Sequence, residues 1–105
     1  MGYLSTQFDA FTGSLAQVDA VLDESCPLEK KIDELMRFAL SIKARSQSCV
    51  RKHFKGAREA GASDKEISYV FALTMREAAG ADDCWTHGVI SDLVGGEPGK
   101  SCDCD

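Results

Sequence analysis

Cys49 and His53 stand four residues apart in Ser46-Gln47-Ser48-Cys49-Val50-Arg51-Lys52-His53, a stretch that reads as a helix start. On a helix that spacing sets a thiol and an imidazole on one face, one turn apart. A cysteine in the first turn is pushed toward thiolate by unpaired backbone N–H groups and the helix dipole. An imidazole one turn below can accept or relay its proton. Only the thiolate is a competent nucleophile, so the pattern suggests sulfur chemistry under acid–base control. Arg51 and Lys52 add positive charge that favours the anion wherever they point inward.

Composition narrows the setting. The chain has 105 residues, enough for one domain with a modest core. Its hydrophobic share of 44% argues against a disordered chain. A net charge of −5 argues against a nucleic-acid partner. No apolar run approaches a membrane span, and no basic segment followed by an apolar core marks a signal peptide. Five cysteines form an odd set, which argues against a closed disulfide framework. Cys26, Cys49 and Cys84 are isolated, and only Cys102-Asp103-Cys104 is paired, so the spacing of a structural zinc site is absent. Redox thiols in a reducing cytoplasm are the expectation, with no cofactor, no metal and no membrane partner.

The pattern that must position these groups is helical throughout. Phe8, Phe11, Leu15, Val18 and Leu22 recur at steps of three and four, an amphipathic stripe expected to serve packing. Pro27 suits the start of a second helix, expected from about Leu28 to Arg45. Ile32, Leu35, Met36, Ala39 and Leu40 make its apolar face, and Glu34, Phe38 and Ser41 a narrower second one. A helix buried on two sides in so short a chain points to an oligomer. The third helix starts at the Ser46–Ser48 hydroxyls and stops at Gly61. The fourth opens on Ser63-Asp64-Lys65-Glu66, a capping box, and stops at Gly80, with Ile67, Val70, Phe71 and Thr74 facing the core. The fifth is expected from Cys84 to about Val94, capped by Asp82 or Asp83, with Trp85, Ile90 and Leu93 as apolar contacts. Residues 1–94 thus read as one all-α domain of five to six helices, and residues 95–105 as a flexible cysteine-containing tail.

The segment from Leu28 to Ala62 resembles the carboxymuconolactone decarboxylase family, which includes the alkyl hydroperoxidase D-like proteins. The family pattern is a glutamate in one helix, a loop, then C-x-x-C-x-x-x-H opening the next. Cys49 matches the second cysteine, His53 the histidine, and Glu34 the upstream glutamate. The likeness runs on through Gly61-Ala62-Ser63-Asp64-Lys65-Glu66-Ile67 and covers roughly two-thirds of the chain. It departs at one place that matters. Ser46 stands where the family has its first cysteine, and Ser48 where the hydroperoxidase branch often has histidine. Ser46 cannot close the usual internal disulfide.

The resemblance implies an all-α fold with a central antiparallel helix pair, assembled as a trimer or hexamer. It also implies a relay in which Glu34 takes the proton or orients the His53 imidazole while Cys49 attacks. The leading expectation is a peroxidase that reduces peroxides through Cys49 and is regenerated by Cys84, Cys102, Cys104 or an external thiol reductant. Two alternatives stand beside it. One is a lyase of the decarboxylase branch, in which Glu34 and His53 shuttle a proton without a dithiol. The other is a non-enzymatic helical oligomer whose tail thiols bind a metal or a partner. Cys84 and His87 form a second thiol–imidazole pair, read mainly as packing beside Trp85, and Cys26 next to Pro27 reads as structural.

Overall fold

The computed structural model describes residues 2–95. Six helices follow one another, with no strand among the described residues. They are α1 (Tyr3–Gln7), α2 (Asp9–Ser25), α3 (Lys30–Lys43), α4 (Gln47–Glu59), α5 (Asp64–Ala78) and α6 (Ala81–Leu93). The all-α expectation holds, and α3 against α4 is the most extensive packing in the chain. The segment expected to be a cysteine-containing tail lies, from residue 96 on, outside the described residues.

Local chemistry sets the helix ends around the central pair. The α3 helix closes in a reverse turn in which Arg45 N–H donates to Ile42 and Ser46 N–H to Ser41. This is the six-to-one, five-to-two pattern of a Schellman stop. Its left-handed residue is Arg45, at φ 57°, where glycine would be usual. Ser46 then caps α4, its hydroxyl accepting from Cys49 N–H at 3.3 Å. The same stop ends α4, this time on Gly61 at φ 97°, with Ala62 N–H reaching Ala57. The predicted capping box is present at α5: Ser63 Oγ accepts from Glu66 N–H, and Glu66 Oε1 accepts from Ser63 N–H. A Lys31–Glu66 ion pair at 3.0 Å ties this turn to α3.

The core is small and sits where α3, α4 and α5 meet. Leu35, Phe38, Ala57, Ala62 and Ile67 are its buried apolar members, with Ile42, Val50 and Val70 packed against them. Phe38 and Phe54 meet edge-on across the α3–α4 seam, ring centroids 6.0 Å apart. Ala57 has no exposed surface, so its methyl-sized side chain lets the two helices approach closely.

Several expectations about packing and capping are corrected here. On α3 the face that carries Ile32, Met36 and Leu40 is exposed, while the narrower face of Glu34, Phe38 and Ser41 is the buried one. On α2 the Phe11, Leu15, Val18 and Leu22 stripe exists but stays about half exposed, Phe11 resting on the Phe8 ring, and no α2 residue is buried. On α6, Trp85, Ile90 and Leu93 are exposed. Asp82 and Asp83 lie inside its first turn, and the N-cap is Gly80 rather than either aspartate. Asp82 instead accepts from the Trp85 indole at 3.0 Å. On α5, Phe71 is likewise exposed while Ile67 and Thr74 are buried. The periodicities are present, and among the described residues these faces stay largely exposed.

Candidate active site

Glu34 and His53 come together across the α3–α4 seam. Glu34 Oε2 and His53 Nδ1 are 2.8 Å apart. Glu34 is 7% exposed and His53 8%. The other oxygen, Oε1, accepts from Lys30 Nζ at 2.8 Å, one turn earlier on α3. Both oxygens of a nearly buried carboxylate are therefore fixed, one from solvent and one from the interior.

The electrostatics follow from those partners. Burial pushes the Glu34 carboxyl upward, but the hydrogen bonds from Lys30 and His53, with their charge, outweigh it and hold Glu34 below the ordinary glutamate range. Lys30 is raised above the ordinary lysine value by its hydrogen bond and attraction to Glu34. An ionised carboxylate can only accept, so His53 Nδ1 carries the proton in the 2.8 Å contact. In the neutral imidazole that leaves Nε2 as the basic nitrogen.

Cys49 lies on the same helix, one turn before His53, and is a free, half-buried thiol. Its backbone N–H is held by Ser46, and among the described residues its sulfur makes no hydrogen bond. The residue in the first-cysteine position thus has a visible job: it caps the helix that carries the thiol. Ser48 lies 3.5 Å from Ser46, hydroxyl to hydroxyl. Arg51 and Lys52 are both exposed.

Among the described residues, the other sequence candidates lie on elements apart from the α3–α4 seam. Cys84 and His87 lie on α6, whose principal contacts are with α5. Cys84 is disulfide-bonded and His87 is exposed. Cys102 and Cys104 lie outside the described residues. Cys26 is free, its sulfur 3.6 Å from the Leu28 carbonyl. Among the described residues no group of three or more His, Cys, Asp or Glu is arranged to hold a metal ion. No helix among them is long and apolar enough to cross a membrane.

Two residues of this site escaped the sequence reading. Lys30 precedes Glu34 by four, a spacing at which opposite charges meet on a helix. Gly56 sits inside a helix, where glycine costs about 1 kcal/mol relative to alanine. A glycine in that position asks for a reason, and here the reason is Glu34. A Cβ on residue 56 would lie 2.5 Å from Glu34 Oε2 and 2.7 Å from its carboxyl carbon.

An all-helical chain with a buried glutamate–histidine dyad behind a helix-opening cysteine defines the class of protein. Residues 8–83 match the carboxymuconolactone decarboxylase family model, and the chain belongs to that family. No curated protein and no solved structure matches it.

Proposed function

We propose that this protein is a thiol-dependent peroxidase in which Cys49 reacts and the Glu34–His53 dyad handles the proton. The dyad itself is the observation that supports this reading: a buried, doubly fixed carboxylate on His53 Nδ1, with Cys49 one turn away. The Cys49 thiol gives its proton to His53 Nε2. The sulfur attacks one peroxide oxygen and the O–O bond breaks, its electron pair leaving on the alkoxide. The alkoxide takes the proton from His53 and departs as an alcohol. Cys49 is oxidised to sulfenic acid as the peroxide is reduced. Glu34 steadies the imidazolium between the two proton transfers.

Regeneration consumes two thiol equivalents. The first condenses with the sulfenic acid and releases water, and the second opens the mixed disulfide. Ser46 removes the usual neighbouring thiol, so the first equivalent comes from an external thiol reductant or from another cysteine of the chain. Limited peroxide followed by a sulfenic-acid trap and peptide mapping tests this. Label on Cys49 is expected. An unmodified Cys49, together with a non-redox activity that survives Cys49→Ser, overturns it.

A lyase of the decarboxylase branch is the second reading, and one observation favours it. The dyad is complete without Cys49, and Glu34 borders an open cleft of about 410 Å³ lined also by Lys30, Lys52 and Lys55. Those ammonium groups suit a carboxylate substrate. Whether turnover needs Cys49 separates the two readings.

The same proposal includes assembly with further copies of this chain, as a trimer or hexamer. The α2 stripe is left about half exposed, and an apolar groove of about 490 Å³ runs between α3 and α5 past Ile32, Met36, Leu40 and Leu73. Two helices forming such a groove accept a third with a matching stripe. A second copy's α2 stripe is the occupant we propose for that groove, whose lining is apolar apart from Lys43, Thr74 and Glu77. Light scattering at micromolar concentration tests it: a mass of three or six chains is expected, and that of one chain counts against it.

A further inference from the structure

We infer that Gly56 and Lys30 are the positioning residues of the dyad, Gly56 by leaving room for Glu34 Oε2 against the α4 backbone and Lys30 by fixing Oε1 from the solvent side. The inference rests on the reading of Glu34 and His53 as a proton relay. Its physical content is testable without any activity.

The geometry is specific. The oxygen that a Cβ at residue 56 would strike, at 2.5 Å, is the same Oε2 that holds His53 at 2.8 Å. The Glu34 Cγ would be 3.3 Å away. A flexible side chain often yields to such a contact by turning aside. Glu34 cannot turn aside and keep both partners, because Lys30 holds Oε1 at 2.8 Å while His53 holds Oε2. Residue 56 thus acts on His53 through the carboxylate. Gly56 follows His53 by three on α4, so the histidine and the space for its partner lie on neighbouring turns of one helix face.

Lys30 supplies the complementary constraint. Its ammonium is largely exposed, whereas the carboxylate it binds is largely buried. It therefore joins the dyad to solvent: Lys30 Nζ, Glu34 Oε1, Glu34 Oε2 and His53 Nδ1 form one continuous chain. The other charged groups around Glu34 are Lys52, Lys55 and Glu59 of α4, which line the same cleft, and Arg37 of α3, whose guanidinium the carboxylate attracts. Lys55 and Glu59 are 3.9 Å apart. On the far side of Lys30, Asp33 and Asp23 act on its ammonium. The cleft holds no other cation bonded to Glu34 among the described residues.

The first test is Gly56→Ala. Helix propensity alone makes this change favourable. Displacement of the carboxylate instead removes the His53 Nδ1–H···Glu34 bond. Loss of the downfield imidazole N–H resonance is expected, with helical content retained. If turnover is measurable, it falls on the order of a hundredfold, the scale of a misplaced catalytic group. A retained imidazole resonance overturns the role of Gly56.

The second test touches an exposed residue and so is independent of folding. In Lys30→Met the Glu34 carboxyl, followed by carbon NMR, should titrate at higher pH than in the wild type. Lys30→Arg should restore it. An unchanged Glu34 titration in Lys30→Met overturns the role of Lys30. If both NMR results appear and no peroxide is consumed, the seat of the carboxylate stands and the peroxidase reading falls.

Discussion

The seam between α3 and α4 and the outer helices α2 and α6 are built from similar amounts of apolar sequence, yet they have opposite fates. At the seam Phe38, Leu35 and Ala57 are buried, and the two polar groups carried in with them, Glu34 and His53, satisfy one another. On α2 and α6 not one residue is buried, although α2 carries the Phe11, Leu15, Val18 and Leu22 stripe and α6 carries Trp85. Hydrophobic patterning therefore specifies that a face will be covered, but not by what. Link length does not decide it, since α6 follows α5 after only two residues and still buries nothing; at the α3–α4 seam the fully buried Ala57 lets the two helices approach closely.

The largest expected effect compares one aromatic from each region. Phe38 is 3% exposed, and Phe38→Ala should cost about 3–5 kcal/mol of unfolding free energy by urea titration. Phe11→Ala, on an exposed face, should change the stability of a dilute single chain by less than about 0.5 kcal/mol. Its effect should appear instead in the assembled mass at high concentration. Equal losses in dilute solution would mean that α2 folds onto its own chain and would erase the contrast between the regions.

Next in size is Glu34→Gln. It removes a charged hydrogen-bond partner from buried His53, a loss of about 2 kcal/mol, and turnover should fall between a hundredfold and ten-thousandfold. The pH dependence has a definite sign. Glu34 is held below its ordinary value of 4.5, so its contribution to stability is present above that pH and is lost as pH falls through the lower native value. The gap in stability between wild type and Glu34→Gln should therefore narrow on acidification below about pH 4.5. A gap that stays constant through that range would mean Glu34 is not ionised in its buried seat.

The sequence carried the seam better than the rim, and the reasons are physical. The meeting of Glu34 with His53, and Cys49 one turn before His53 on α4, were legible because a helix-opening thiol, an i+4 imidazole and the family spacing all point to one place. The capping box at Ser63 and the stop at Gly61 were legible because each satisfies backbone groups within a few residues. The faces of α3 were misread because Ile32, Met36 and Leu40 are the more apolar set, and hydrophobicity alone ranks them for burial. What decided otherwise was the α3–α4 link, which turns the Glu34–Phe38–Ser41 face toward α4. Gly56 and Lys30 were missed because their roles lie in a contact between distant residues. The cap of α6 was misread because two aspartates near a helix start look like caps, while the left-handed Gly80 before them sets the boundary.

A smaller effect is expected at Ser46, the position that departs from the family pattern. Ser46→Cys places a thiol three residues before Cys49 and should allow an internal disulfide if the two side chains approach. It also removes a hydroxyl that caps α4 through Cys49 N–H, costing about 1 kcal/mol. The variant should gain turnover with a dithiol reductant while melting at lower temperature in its reduced form. Ser46→Ala should show the stability loss without the redox gain. A disulfide that fails to form on oxidation, read by mass, would show that the α3–α4 turn holds residue 46 away from Cys49.

The smallest effect belongs to Arg45, on which the turn into the seam depends. Its φ of 57° lies in the left-handed region, which costs a residue with a Cβ about 1 kcal/mol or more. Glycine enters that region freely but loses more chain entropy on folding, so Arg45→Gly should gain only about 0.5 kcal/mol. The side chain lines a shallow cleft with Ser46, Gln47 and Arg51 at the mouth of the cysteine-bearing turn, which gives a reason for tolerating the strain. If the arginine is there for the turn alone, Arg45→Gly should be slightly more stable and equally active. If it serves the proposed substrate, the same change should raise KM while stability improves, a split that unfolding and steady-state measurements on one variant resolve. A destabilised Arg45→Gly would contradict both, and would mean that the side chain contributes more to this corner than its backbone strain removes.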